Sequence, residues 1–123
     1  MTNGMTNQPT PKFDSLYRLQ QAFQYSVTGL KCPVDDEHEF SYHIQAMVEE
    51  LGEVLKADKR WKTHRNTRYE PEEKLDEIAD VFITAMNIAM YSGISADTLL
   101  KAIQNKVAEN FKRLAESKNK EEQ

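Results

Sequence analysis

Apolar residues along this chain recur at helical spacing, in four stretches separated by polar or turn-forming segments. Phe13, Leu16, Leu19, Ala22, Phe23 and Val27 return every three or four residues, as one face of an α-helix does. Thr10-Pro11 ahead of them reads as an N-cap with proline at the first helical position. Gly29 to Glu39, with Pro33 and several acids, reads as a loop. Ile44, Met47, Val48, Leu51, Val54 and Leu55 form a second stripe, which predicts a helix from about Phe40 to Lys62. Thr63 to Glu70 is polar and breaks the pattern. Pro71, followed by Glu72 and Glu73 at the positive end of the dipole, starts a third helix that Ser92-Gly93 stops near Tyr91. Ser95 can cap a fourth that reaches roughly Ser117. No segment alternates with strand period, and no internal repeat is present. The predicted fold is all-α, a four-to-five-helix bundle over residues 11–117. A polar tail (1–10), expected to be disordered, and a charged tail (118–123), expected to fray, flank it.

Composition narrows the picture. The 123 residues fit one domain, and at 39% apolar and 29% charged the balance is that of a folded protein. A formal charge of −4 gives no footprint for binding a nucleic-acid polymer. Cys32 is the single cysteine, which rules out an intrachain disulfide and a cysteine-rich zinc site. Beside Pro33 it reads as a loop residue. Met1 to Pro11 has no apolar core of the signal-peptide kind, and no run approaches the roughly 18 apolar residues of a membrane span. A soluble, cytoplasmic protein is expected, and a domain of this size gains stability from oligomerising.

Two acidic clusters carry the chemistry. Glu49, Glu50 and Glu53 lie within little more than one turn of the second helix, on a face turned from its apolar stripe. Glu77 and Asp80 share a face of the third. Like charges at these spacings cost only about 0.2–0.5 kcal/mol per pair, so a solvated surface is the competing reading for either cluster alone. The third helix shifts the balance. From Leu75 to Met90 it is apolar in nearly every direction, the mark of a buried helix. Apart from Asp76, its polar exceptions, Glu77, Asp80, Thr84 and Asn87, with Tyr91 just beyond, fall within a sector of about 80°. Carboxylates on such a stripe need cations, because burying an unpaired charge is costly. All-oxygen ligands suit Mg²⁺, with Mn²⁺ able to substitute, and Mg²⁺ characteristically shares its coordination with substrate phosphates. A di-iron bundle would need Glu-x-x-His pairs, and none of His38, His43 and His64 lies three residues after a glutamate.

A polyphosphate also needs positive charge. Lys56, Lys59, Arg60, Lys62, Arg65 and Arg68 run from the end of the second helix into its loop, with Trp61 among them. Dipole complementation and ordinary packing are the competing readings for these. Lys106, Asn110 and Arg113 form a row on the fourth helix beside Ile103, Val107 and Leu114.

Glu49-Glu50-x-x-Glu53, separated by 23 residues from Glu77-x-x-Asp80, resembles the signature of the all-α nucleotide pyrophosphohydrolase superfamily, which includes MazG-like proteins, dimeric dUTPases and phosphoribosyl-ATP pyrophosphatases. Lys106-x-x-x-Asn110-x-x-Arg113 resembles the further motif that MazG-like members carry on their last core helix, and the similarity extends over about Phe13 to Leu114. The resemblance implies Mg²⁺-dependent hydrolysis of a (deoxy)nucleoside triphosphate between its α- and β-phosphates. It implies Glu50, Glu53, Glu77 and Asp80 as metal ligands, with Glu49 as a further ligand or as the group that orients and deprotonates water. Lys106 and Arg113 would hold the triphosphate, supported by Asn110. Thr84 and Asn87 are candidates for sugar or base contacts, and Lys59 and Trp61 for nucleotide selection. Homodimers or dimers of dimers with sites built across subunits are also implied. A dUTP- or phosphoribosyl-ATP-directed enzyme is the alternative within the superfamily. A non-catalytic helical assembly or regulatory module is the alternative outside it.

Overall fold

The structure, a computed structural model, describes residues 9–62 and 69–122. Four helices follow in order: α1 (Phe13–Thr28), α2 (Glu37–Asp58), α3 (Pro71–Met90) and α4 (Ala96–Glu122). No strand occurs among the described residues; one isolated bridge pairs Asp35 with Ser92.

The helix ends show which local signals prevailed. Pro71 opens α3 as expected, and Ser95 Oγ accepts the Thr98 amide at 3.2 Å just ahead of α4. Three boundaries differ from the sequence reading. Lys12, rather than Thr10, is the residue before α1. The second helix begins at Glu37, three residues before Phe40, because the Asp36 carboxylate accepts the Glu39 amide at 2.9 Å and caps it. It ends at Asp58 rather than Lys62: Lys59 adopts φ 63°, a left-handed conformation that costs a non-glycine residue about 1–2 kcal/mol. At the other end of the chain α4 runs past Ser117 to Glu122, where Lys and Glu, both good helix formers, meet no glycine or proline.

α2 and α3 lie antiparallel. Near the end of α2, Asp58 accepts a hydrogen bond from Lys74 of α3 at 3.1 Å, and Arg60 reaches the same carboxylate. At the opposite end His43 meets Asn87 and stacks on Tyr91. The loop after α1 is fastened to the end of α3 by the Val34 and Asp36 amides, which donate to the carbonyls of Met90 and Tyr91 at 2.8 and 3.0 Å. There Tyr17, Ala89, Met90 and Tyr91 make a small buried core, surrounded by Phe13, Val34, Phe40, Ile94 and Leu99. The Tyr17 hydroxyl closes it by donating to the Ile94 carbonyl.

The apolar stripes do not form this core. Leu16, Leu19, Phe23 and Val27 of α1 and Val48, Leu51 and Leu55 of α2 face outward. Within one chain α3 is not buried all round either: Leu75 is 62% and Phe82 68% exposed. Between the helices lie polar side chains instead, among them Gln24, His43, Thr84 and Asn87. The accessible surface is 9820 Å², against roughly 6,800 Å² for a compact monomer of this mass.

With so few residues in the core, each counts heavily. Met90→Ala is expected to lower the unfolding free energy by about 2–5 kcal/mol, measured by urea denaturation followed by circular dichroism.

Candidate metal centre

Glu50 projects from the middle of α2, and Glu77 and Asp80 from the opposing side of α3, one turn apart. Antiparallel packing brings the three together: one carboxylate oxygen from each lies within 4.8 Å of the others. Glu50 and Glu77 are half-buried and Asp80 is exposed. Partial burial is the largest influence raising the Glu50 carboxyl above its ordinary value, followed by the charges of Asp80, Glu53 and Glu49. Glu77 is raised likewise, by burial first and then by Asp80, Glu53, Glu50 and Glu73. Three mutually repelling oxygen donors with no nitrogen or sulfur among them fit a hard divalent cation.

The remaining expected residues are distributed unequally. Glu53 and Glu49 bear on the cluster through their charge but lie outside the three converging groups, and Glu53 is 4.0 Å from the Lys56 ammonium. Thr84 and Asn87 continue the polar side of α3 from Asp80 and are buried. The Thr84 hydroxyl donates to the Asp80 carbonyl at 2.9 Å, and the Asn87 carbonyl oxygen accepts from Gln20 of α1 at 3.0 Å. Lys106 and Arg113 lie exposed on α4, both paired with Glu109, and Asn110 is exposed between them. Because α4 packs mainly on α1, this row is not brought to the acidic cluster within one chain. Lys59 pairs with Glu73 at 3.9 Å, and the Trp61 indole donates to the Leu55 carbonyl at 2.7 Å, closing the last turn of α2. Arg65, Arg68 and His64 lie outside the described residues.

A family profile described as phosphoribosyl-ATP pyrophosphohydrolase matches residues 16–107, three quarters of the chain. The chain belongs to that family. It is therefore a member of the all-α NTP pyrophosphohydrolase, or MazG-like, superfamily, and its helical fold agrees. No curated protein and no solved structure matches it. Pyrophosphohydrolases of this family are metal-dependent hydrolases acting on nucleotides, and Glu50, Glu77 and Asp80 all fall inside the matched segment. Lys106 lies at its edge, and Asn110 and Arg113 lie beyond it. No described helix is long and apolar enough to cross a membrane.

Sequence reasoning found the α3 side of the polar layer that continues from this acidic cluster but missed its partners on α1 and α2. Tyr91 donates to Gln24 at 2.8 Å and meets Thr28 at 3.1 Å, and the Asn87 amide lies 3.5 Å from His43 Nδ1. A signal was present. Tyr17, Gln20, Gln24 and Thr28 share one side of α1, and His43 and Glu50, seven residues apart, share one side of α2.

The raised carboxyls fix a sign. Their folded values lie above the ordinary 4.5, so the folded cluster binds protons more tightly than the unfolded chain. Its contribution to stability is thus present in acid and is lost as pH rises through the window above 4.5. In the absence of divalent cation, Glu77→Gln is expected to raise the melting temperature at neutral pH and to flatten this dependence. Added Mg²⁺ should stabilise the unsubstituted protein by mass action. Calorimetry across mildly acidic to neutral pH checks both, and a melting temperature indifferent to Mg²⁺ would contradict the centre.

Proposed function

We propose that this chain is a Mg²⁺-dependent pyrophosphohydrolase that opens the α–β phosphoanhydride bond of a nucleotide, releasing pyrophosphate and the monophosphate. The observation that carries this reading is the convergence of Glu50, Glu77 and Asp80 from two helices on one point. These residues would hold the cation, with Glu53 joining them by leaving Lys56. When bound, the cation supplies neutralisation of phosphate charge and a lowered pKa for coordinated water. Glu49 is the candidate to orient that water and take its proton. In the balanced reaction the water oxygen joins one phosphorus while the bridging oxygen departs on the other.

Two substrate classes follow from different observations. The family match supports phosphoribosyl-ATP. The Lys106-Asn110-Arg113 row, which resembles the MazG-like motif, supports (deoxy)nucleoside triphosphates. Thr84 and Asn87 keep the candidate role of contacting the sugar or base, acting through the layer they anchor, and Lys59 and Trp61, at the other end of α2, keep that of selecting the nucleotide.

The reading includes a second copy of the chain. Outward apolar stripes on α1, α2 and α4, with nearly half again the surface of a compact monomer, support a homodimer or a dimer of dimers. Such an assembly can bring Lys106 and Arg113 of one copy, released from Glu109, to phosphates held by the acids of another.

Pyrophosphate release from a panel of NTPs, dNTPs and phosphoribosyl-ATP is expected to require Mg²⁺, and Asp80→Asn should lower kcat by about 10²-fold or more with the helical spectrum intact. Full turnover by that variant would remove Asp80 from the site. Sedimentation equilibrium at micromolar concentration should give a dimer or tetramer; a monomer would defeat the shared-site reading.

A further inference from the structure

We infer that the cleft between α1 and α2 is a base-recognition pocket, taking a heterocycle whose edge presents adjacent N–H donors, with Glu39 as their acceptor. The inference rests on the nucleotide reading above and names the part of the substrate that confers selectivity.

The cleft has a volume of about 650 Å³, and Phe23, Thr28, Glu39, Tyr42 and His43 are among the residues around it. Tyr42 of α2 is 60% exposed, a degree of exposure that leaves an aromatic face for a planar ring. At the base of the cleft His43 is held on three sides. Its ring lies parallel to Tyr91 with centroids 5.4 Å apart, Tyr42 meets it edge-on at 5.0 Å, and Nδ1 is 3.5 Å from the Asn87 amide nitrogen. An amide nitrogen can only donate, so Nδ1 accepts and the ring proton resides on Nε2. Gln20 fixes the direction of this chain by donating to the Asn87 carbonyl oxygen at 3.0 Å. Burial also lowers the His43 pKa, which keeps the ring neutral.

Nε2 is then a donor without a hydrogen bond, shielded from water. Its nearest acceptor is Glu39 Oε2 at 3.6 Å, just beyond bonding distance. Glu39 is well anchored through its backbone, whose amide caps onto Asp36 at 2.9 Å. Its carboxylate retains acceptor capacity: the side chain is 20% exposed, it lies near His38 and His43, and it accepts no hydrogen bond among the described residues. A carboxylate has two oxygens and about four acceptor sites, so it can take two parallel N–H donors from a ligand while a small shift completes the bond from His43.

Charge and position determine what fits. Asp36 and Glu39 on the cleft wall oppose a phosphate and favour a donor-rich base edge. His43 and Glu50 share a side of α2 two turns apart, about 10 Å, which is roughly the length of a nucleoside. Phosphates at the acidic centre and a base in the cleft are therefore ends of one ligand. Guanine, with N1–H and N2–H side by side, matches Glu39 best among the common bases, and hypoxanthine lacks the second donor.

The test is calorimetric titration of the intact protein with GMP, IMP and UMP in the absence of divalent cation. GMP is expected to bind about tenfold or more tightly than IMP or UMP, the scale of a hydrogen bond to a charged group. Glu39→Gln should erase that preference, and Glu39→Asp should restore part of it. Asp80→Asn should leave it in place, which separates this pocket from the acidic centre. Equal affinities for GMP and IMP, or an unchanged preference in Glu39→Gln, would overturn the inference. A GMP preference that Glu39→Gln removes would uphold the pocket even in a chain that hydrolyses no nucleotide tested, and then only the pyrophosphohydrolase reading would fall.

Discussion

The register between α2 and α3 is the constraint on which the rest of the molecule depends. Three rungs define it: Asp58 with Lys74, Glu50 with Asp80, and His43 with Asn87. Each residue of slip would turn a helix by about 100° and carry every rung out of contact at once. The ionic rung at one end and the stacked, hydrogen-bonded rung at the other hold in place a middle rung that is itself repulsive. Those two outer contacts oppose the mutual repulsion of the three carboxylates.

That arrangement inverts the usual placement of polar and apolar groups. A helical bundle normally turns its apolar stripes inward, but here the interior layer is a chain of amides, hydroxyls and one imidazole running from Gln20 to Glu39. Buried polar groups are tolerable when their hydrogen bonds are made, and nearly all of these are. The apolar stripes left outside are the surface that the proposed homo-oligomer would cover. Polar interior and apolar exterior are thus two sides of one packing arrangement.

Within the polar layer, chemistry divides along the helix axes. One region concentrates negative charge and raises carboxyl pKa values, the environment for a cation and phosphates. Two turns away the layer holds an imidazole packed on Tyr91 and Tyr42 beside the Glu39 carboxylate, where directional hydrogen-bond edges are offered.

How much of this was legible beforehand can be followed residue by residue. Pro71, Ser95 and the Ser92-Gly93 stop act through local backbone chemistry, so the third and fourth helices could be started and separated from sequence alone. Glu50, Glu77 and Asp80 were legible too, because an i,i+3 pair on a nearly all-apolar helix has few explanations. The Asp36 cap was not: it lies in a segment read as loop, and its effect depends on the following turn forming. Helical periodicity identified the stripes correctly as faces but could not say whether each turns toward its own chain or toward another molecule, since both bury the same residues. His43 stayed hidden because an imidazole becomes informative only when its partners come from α1 and α3. The sequence by itself determined helix content, the family and the two acidic motifs, all properties of residues near one another along the chain. Tertiary structure alone decided the register, the inward polar layer and the cleft, because each depends on contacts between residues that the chain holds far apart.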